Sequence, residues 1–159
     1  MRRTVFFASI VCGLIAIAVQ PKSAAAATPT LAGSWQFTLT PTTPPAPPDI
    51  QIPGLVTFTT DGSAIETDGW ESINAHTPGH GIWQMANVPG SLYVEYVSLV
   101  LNTDGSLYAQ NVTTMLLALN SKGNKFAGSY TTVQEIGGVT TTVSSGTVSG
   151  QLIPHVPLP

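Results

Sequence analysis

Residues 107–153 have the sequence LYAQNVTTMLLALNSKGNKFAGSYTTVQEIGGVTTTVSSGTVSGQLI. Apolar and polar side chains alternate through three runs of this stretch, which is the period of a half-buried β-strand. The runs are 107–120, 125–136 and 139–153. Lys122-Gly123 and Gly137-Gly138 separate them, and glycine supplies the positive backbone torsions of tight hairpin turns. The stretch therefore predicts three consecutive antiparallel strands.

Five further alternating runs precede these three, and dipeptides such as Asp61-Gly62 and Asp104-Gly105 separate several of them. The additional predicted strands are 31–40, 55–60, 63–68, 81–87 and 92–102. The 21 threonines of the chain favour pleated sheet over helix. Closing a meander of about eight strands into a barrel removes both of its exposed edges. The predicted fold is all-β, an eight-stranded antiparallel up-and-down barrel, with a two-sheet β-sandwich as the alternative.

Residues 1–27 have the pattern of a secretory signal peptide. Arg2-Arg3 precedes a 15-residue apolar run, 5–19, and small residues end at Ala27. The run is shorter than the roughly 20 residues that a membrane-spanning helix needs. We therefore expect a secreted or periplasmic protein with no membrane span after signal removal. The expected mature chain is a single β-barrel domain at 28–153 with a Pro-rich tail at 154–159.

Signal removal leaves Lys122 and Lys125 against eight acidic residues, a net charge of −6. Nucleic-acid binding requires a basic surface, so no nucleic-acid partner is expected. The one cysteine, Cys12, lies in the signal, which excludes a thiolate nucleophile and a cysteine zinc site from the mature chain. The sequence contains no phosphate-binding loop and no G-x-S-x-G nucleophile motif. No cofactor is predicted.

Two predicted connections are longer than hairpin turns. The first, 41–53, contains six prolines, which favour extended polyproline geometry. The third, 69–80, contains Trp70, His76 and His80. Odd-numbered connections of an up-and-down barrel lie at the same end, so we expect both loops at one rim. Loops on a rigid scaffold and barrel mouths are common ligand sites.

Gly33-Ser34-Trp35 opens the first predicted strand and resembles the G-x-W motif of the lipocalins and the wider calycin group. The resemblance covers 31–153. It implies that Trp35 plugs the closed end of a barrel and that the first loop overhangs the open mouth. The late-strand arginine of lipocalins has no counterpart after residue 3. Gly79-His80-Gly81-Ile82-Trp83 is similar to a segment of small, uncharacterised bacterial proteins.

The first functional hypothesis is a binding protein for a small, largely apolar molecule at the barrel mouth. The predicted ligand-binding residues are Trp70, His76, His80, Trp83, Tyr96 and Tyr130. Ser98, Asn111 and Thr113 are small or polar side chains on otherwise apolar strand faces. Such positions indicate a cavity rather than a filled interior, and an eight-stranded barrel is wide enough for one small ligand.

Two alternatives stay open. A barrel-type cyclase or isomerase would use His80 or Glu66 for proton transfer. A secreted protein-binding module or inhibitor would use the Pro-rich loop or a sheet face.

A metal site was also weighed. His76 and His80 with Asp68 or Glu71 could supply three ligands. Pro78-Gly79 between the histidines prevents a helical pairing, so the favoured interpretation is two loop histidines and no metal.

Overall fold

The computed structural model describes residues 30–42, 50–71 and 76–154. They form a closed barrel in which each strand pairs antiparallel with the next, and the last pairs with the first. The strands are β1 (Gly33–Pro41), β2 (Ile52–Phe58), β3 (Ser63–Asp68), β4 (Gly79–Met85), β5 (Ser91–Leu101), β6 (Leu107–Leu119), β7 (Lys125–Ile136) and β8 (Val139–Leu152). This confirms the predicted up-and-down barrel, and the β1–β8 ladder excludes the open sandwich.

Several predicted segments fall outside the described residues. They are the signal peptide at 1–27, residues 43–49 of the Pro-rich connection, residues 72–75 of the third connection, and residues 155–159 of the tail. None of the described residues belongs to a helix that is long and apolar enough to cross a membrane.

Two strands begin earlier than predicted. β2 begins at Ile52 instead of residue 55 and includes Pro53, and β4 begins at Gly79 instead of residue 81. Proline is compatible with strand ends, where its missing N–H costs no central ladder bond. The Pro53 carbonyl still accepts a hydrogen bond from the Gly69 N–H at 2.8 Å. The first connection is therefore 42–51 and the third is 69–78, and all other strand ends lie within two residues of their predicted positions.

The predicted Asp-Gly turns are confirmed. Gly62 and Gly105 have positive φ angles of 92° and 82°. In the first turn the Ser63 N–H donates to Asp61 Oδ1 at 3.1 Å, and the corresponding bond of the second turn is 2.9 Å. The repeated Thr-Asp-Gly-Ser sequence thus makes the same turn at both ends of the barrel, between β2 and β3 and between β5 and β6.

The half of the barrel around the start of β1 is filled by side chains. Trp35 is fully buried, and its indole N–H donates to the Leu31 carbonyl at 2.7 Å. The Trp35 and Phe126 ring centroids are 5.2 Å apart. Other buried apolar side chains around them are Phe37, Val56, Phe58, Leu92, Val94, Met115, Leu117 and Val148. A void of about 10 Å³ remains in this half, which is too small for a ligand.

The connections at the other end of the barrel include both long ones, 42–51 and 69–78, as the strand parity predicts. The walls here are uneven, because β5 to β8 span 11 to 14 residues and β2 to β4 only 6 or 7. Register shifts also occur at Val100/Leu101 and Thr132/Val133, near this end. Irregularities of this kind increase local twist and redirect side chains.

Candidate functional site

A cavity of about 280 Å³ occupies the mouth half of the barrel. Every strand except β4 contributes to its wall, together with the connection after β3. The lining side chains are Leu39, Ile52, Glu66, Asp68, Trp70, His76, Tyr96, Ser98, Val100, Asn111, Thr113, Tyr130, Thr132, Gln134, Val143 and Ser144. A cavity of ~150 Å³ is known to hold benzene. The volume therefore suits a one- or two-ring molecule or a chain of similar size.

The glycines of β4 explain why two large side chains fit the floor of this cavity. A Cβ at Gly79 would lie 2.5 Å from the Tyr96 ring and 2.8 Å from Glu66 Oε2. A Cβ at Gly81 would lie 1.8 Å from the carbonyl oxygen of Glu95 on the neighbouring strand. The G-H-G-x-W segment therefore removes side chains from the wall at the point where Glu66 and Tyr96 turn inward.

Glu66 lies between the cavity and the packed half of the barrel, and it lines both spaces. It is 1% exposed, and its Oε1 has no hydrogen-bond partner within the described part of the chain. Burial, followed by the charge of Asp68, raises the pKa of Glu66 to about 8, and His76 opposes this rise. At neutral pH the carboxyl is therefore mainly protonated and uncharged.

Asp68 and His76 form an ion pair at the rim of the cavity. His76 Nε2 lies 3.4 Å from Asp68 Oδ1, and His76 Nδ1 lies 2.9 Å from the Thr77 carbonyl oxygen. Hydrogen bonding to Asp68 raises the pKa of His76 to about 9, despite the opposing effect of burial. Asp68 Oδ1 also accepts the Trp70 N–H at 2.7 Å. The pair thus holds Trp70 and the end of the third connection at the cavity mouth.

The polar side chains of the opposite wall hydrogen-bond to one another. The pairs are Thr113–Thr132 (2.8 Å), Tyr130–Ser144 (2.8 Å) and Gln134–Asn111 (3.1 Å). Because these groups already have partners, they demand little from a ligand. The wall from β6 to β8 is therefore compatible with an apolar molecule in spite of its composition.

Four of the six ligand-binding residues predicted from the sequence line the cavity: Trp70, His76, Tyr96 and Tyr130. His80 is exposed on the outer face of β4, because it alternates with two inward glycines. Trp83 is inward but lies at the closed end, where its indole N–H donates to the Thr59 carbonyl at 2.8 Å. Glu66 of the proposed acid–base pair reaches the cavity, and His80 does not.

Ser98, Asn111 and Thr113, whose polarity indicated a cavity, lie in its wall. Sequence reasoning missed Thr132 and Gln134, although they follow Tyr130 at the two-residue spacing of one strand face. It also missed the neighbours Val143 and Ser144, which both line the cavity. Strict alternation cannot place both of them inside, and the register shift between β7 and β8 accounts for it.

The described ranges 30–42, 50–71 and 76–154 contain no group of three or more His, Cys, Asp or Glu side chains that could hold a metal ion. The set considered from the sequence is divided, because His76 lines the cavity and His80 lies on the outer face of the barrel.

No protein-family model matches this chain, and neither the curated proteins nor the solved structures include a significant match to it. The functional argument therefore rests on the cavity and on the residues that form it.

Proposed function

We propose that this chain is a secreted or periplasmic binding protein for a small, largely apolar molecule held at the barrel mouth. The observation that carries the proposal is the cavity of about 280 Å³ above a tightly packed lower half. Closed β-ladders form its walls, so little ordering is needed when a ligand enters. Apolar side chains and internally bonded polar pairs make those walls suitable for a molecule with few polar groups.

Within this proposal, Trp70 and His76 contact the ligand at the rim, and Tyr96 and Tyr130 contact it deeper in the barrel. All four line the cavity. Tyr96 and Tyr130 are almost fully buried, at 4% and 3% exposure. Aromatic rings in such positions supply large contact areas at low entropic cost.

Native mass spectrometry of the protein purified from its own host tests the proposal. We expect a bound mass that denaturation releases as a small, apolar compound. An unliganded mass, together with no thermal stabilisation by any member of a library of lipophilic compounds, would contradict the proposal.

Ser98→Phe provides a test that depends on the cavity itself. Ser98 is 5% exposed and lines the cavity, so a phenyl ring at this position fills ligand space. We expect ligand affinity to fall at least about tenfold, equivalent to about 1.4 kcal/mol. Leu99→Phe is the matched control, because Leu99 is 39% exposed on the outer face of the same strand. Equal affinities of the two variants, measured by calorimetry, would argue against binding in this cavity.

A barrel-type cyclase or isomerase is a second candidate, and the inward position of Glu66 favours it specifically. A protonated carboxyl in an apolar cavity can give a proton to one atom of a substrate and take a proton back from another. An isomerisation by this route leaves Glu66 unchanged. The ligand recovered from the purified protein, incubated with the protein in D₂O, would then gain deuterium or change structure, and Glu66→Gln would abolish the change. An unaltered ligand supports binding alone.

A protein-binding module or inhibitor was the third hypothesis from the sequence. Its expected sign was a filled barrel that works through a contiguous apolar patch. The cavity in the mouth half gives that hypothesis no support.

A further inference from the structure

The Glu66 carboxyl is not accounted for by a ligand that is entirely apolar. It is 1% exposed on the cavity floor, and Oε1 lacks a hydrogen-bond partner within the described residues. A buried polar group without a partner is costly. Gly79 also leaves the space that the carboxyl occupies. A ligand group that bonds to Oε1 would remove this cost.

The charges around Glu66 indicate the sign of that ligand group. Asp68 and Glu71 add negative charge near Glu66, and His76 is the nearby cation, already paired with Asp68. The hydroxyls of Tyr96 on β5 and Tyr130 on β7 are the other titratable groups that face the cavity. His80 on β4 and Glu95 on β5 are at outward positions.

Basic side chains are distant from the mouth. Lys122 and Lys125 are the only lysines or arginines after residue 27, and they lie at the β6–β7 turn of the closed end. An anionic ligand, such as a fatty-acid carboxylate, would therefore meet carboxyl groups without a free cation to pair with.

Aromatic side chains add to the preference for a cation. Trp70, Tyr96 and Tyr130 line the same cavity as Glu66. The faces of such rings attract ammonium groups, most strongly where water is excluded. Leu39, Ile52 and Val100 complete an apolar surface for the remainder of the molecule.

We propose that the cavity binds a small lipophilic amine whose ammonium group pairs with the Glu66 carboxylate at the cavity floor. This inference rests on the proposed binding function and specifies its ligand class. On binding, N–H···O bonds form between the ammonium group and the carboxylate, and the proton that Glu66 carried leaves to solvent. No covalent bond of the ligand changes.

The pH dependence of affinity separates an amine from a neutral hydrogen-bond acceptor. Burial raises the pKa of Glu66 to about 8, so an ammonium group must displace a proton below that pH. Amine affinity should then rise roughly tenfold per pH unit between pH 6 and 8, and fall again once the amine deprotonates near ~10.4. A ligand that accepts a hydrogen bond from protonated Glu66 would show constant affinity up to pH 8 and weaker binding above it. His76 keeps its charge across this window, because Asp68 raises its pKa to about 9.

The test is calorimetry of the full protein with matched amines, alcohols and carboxylates, built on skeletons from hexyl and cyclohexylmethyl to naphthylmethyl. We expect the best-fitting amine to bind at least about tenfold more tightly than its alcohol at pH 8, and the carboxylate to bind least. Release of about one proton per amine bound at pH 6.5, measured in buffers of different ionisation enthalpy, is a second readout that needs no variant.

Glu66→Gln should reduce amine affinity at least about tenfold at pH 8, abolish the pH dependence and leave alcohol affinity nearly unchanged. Glu135→Gln, on the exposed outer face of β7, is the control. Alcohols that bind as tightly as amines would overturn the amine inference and leave the binding function standing. Failure of every compound to bind would overturn both.

Discussion

Glu66 shows how one residue can be kept in an unfavourable place by its immediate neighbours. It pairs in register with Gly79 across the β3–β4 ladder, and its inward direction follows from the alternation of β3. Its burial separates the pKa of the folded state from that of the unfolded chain. Such a difference makes the stability of the fold depend on pH.

The first residue-scale prediction concerns that dependence. The folded chain holds a proton on Glu66 up to about pH 8, whereas the model value for a free glutamate is 4.5. Between these two pH values the folded state binds more protons than the unfolded state, so the free energy of unfolding falls as pH rises. The loss is on the order of 4 kcal/mol, at about 1.4 kcal/mol per pKa unit. Urea unfolding at several pH values from 5 to 8 measures it.

Glu66→Gln should remove most of this slope. His76, with its pKa raised to about 9, contributes a further loss of stability that begins near its model value of 6.5 and persists in the variant. Glu135→Gln should keep the wild-type slope. A wild-type stability that rises or stays level between pH 5 and 8 would show that Glu66 is not held protonated in the folded chain.

At the scale of the element, β4 differs from the other strands because its inward positions are two glycines and a tryptophan. Gly79 and Gly81 create room, and Trp83 fills the closed end against Phe58, with ring centroids 6.4 Å apart. The strand therefore changes from open to filled within five residues. This change determines where the cavity floor lies.

Gly79→Ala tests the role of β4. The added methyl group would overlap the Tyr96 ring and the Glu66 carboxyl, at 2.5 and 2.8 Å. We expect a loss of about 1–3 kcal/mol in the free energy of unfolding, typical of overpacking, and weaker ligand binding. Gly69→Ala is the control, because its Cβ would meet Pro53 at an ordinary 3.4 Å. Similar stabilities of the two variants in urea would contradict the close packing of β4 against β3 and β5.

At the scale of the whole molecule, closure depends on the seam between the first and last strands. β1 and β8 pair over seven residues, from Trp35–Leu152 to Pro41–Gly146. The seam joins residues more than a hundred positions apart, so forming it costs more loop entropy than any hairpin of the meander. It also removes both sheet edges, which would otherwise be open to pairing with other chains.

A disulfide across the seam tests closure directly. Thr38 and Ser149 are register partners on the outer face, so Thr38→Cys with Ser149→Cys should form a disulfide under mild oxidation. A cross-link that closes a loop of this length stabilises by up to about 4.7 kcal/mol. Thr38→Cys with Ser145→Cys is the control, because four residues of strand, ~13 Å, separate the new cysteine from the register partner of Thr38. Equal cross-linking of the two pairs would argue against the observed register.

The sequence by itself determined the strands, the turns and the parity of the connections, because alternation and Asp-Gly or Gly-Gly turns are local properties of the chain. Trp70, His76, Tyr96 and Tyr130 could be placed near a mouth on these grounds. The sequence left His80 and Glu66 as equal candidates for one role. Only the tertiary structure separated them, because the direction of each side chain depends on the residue at which its strand begins and on the neighbouring strands. The closure of β8 onto β1, the room provided by Gly79 and the proton held on Glu66 are likewise long-range effects, which arise from packing between residues distant in the sequence.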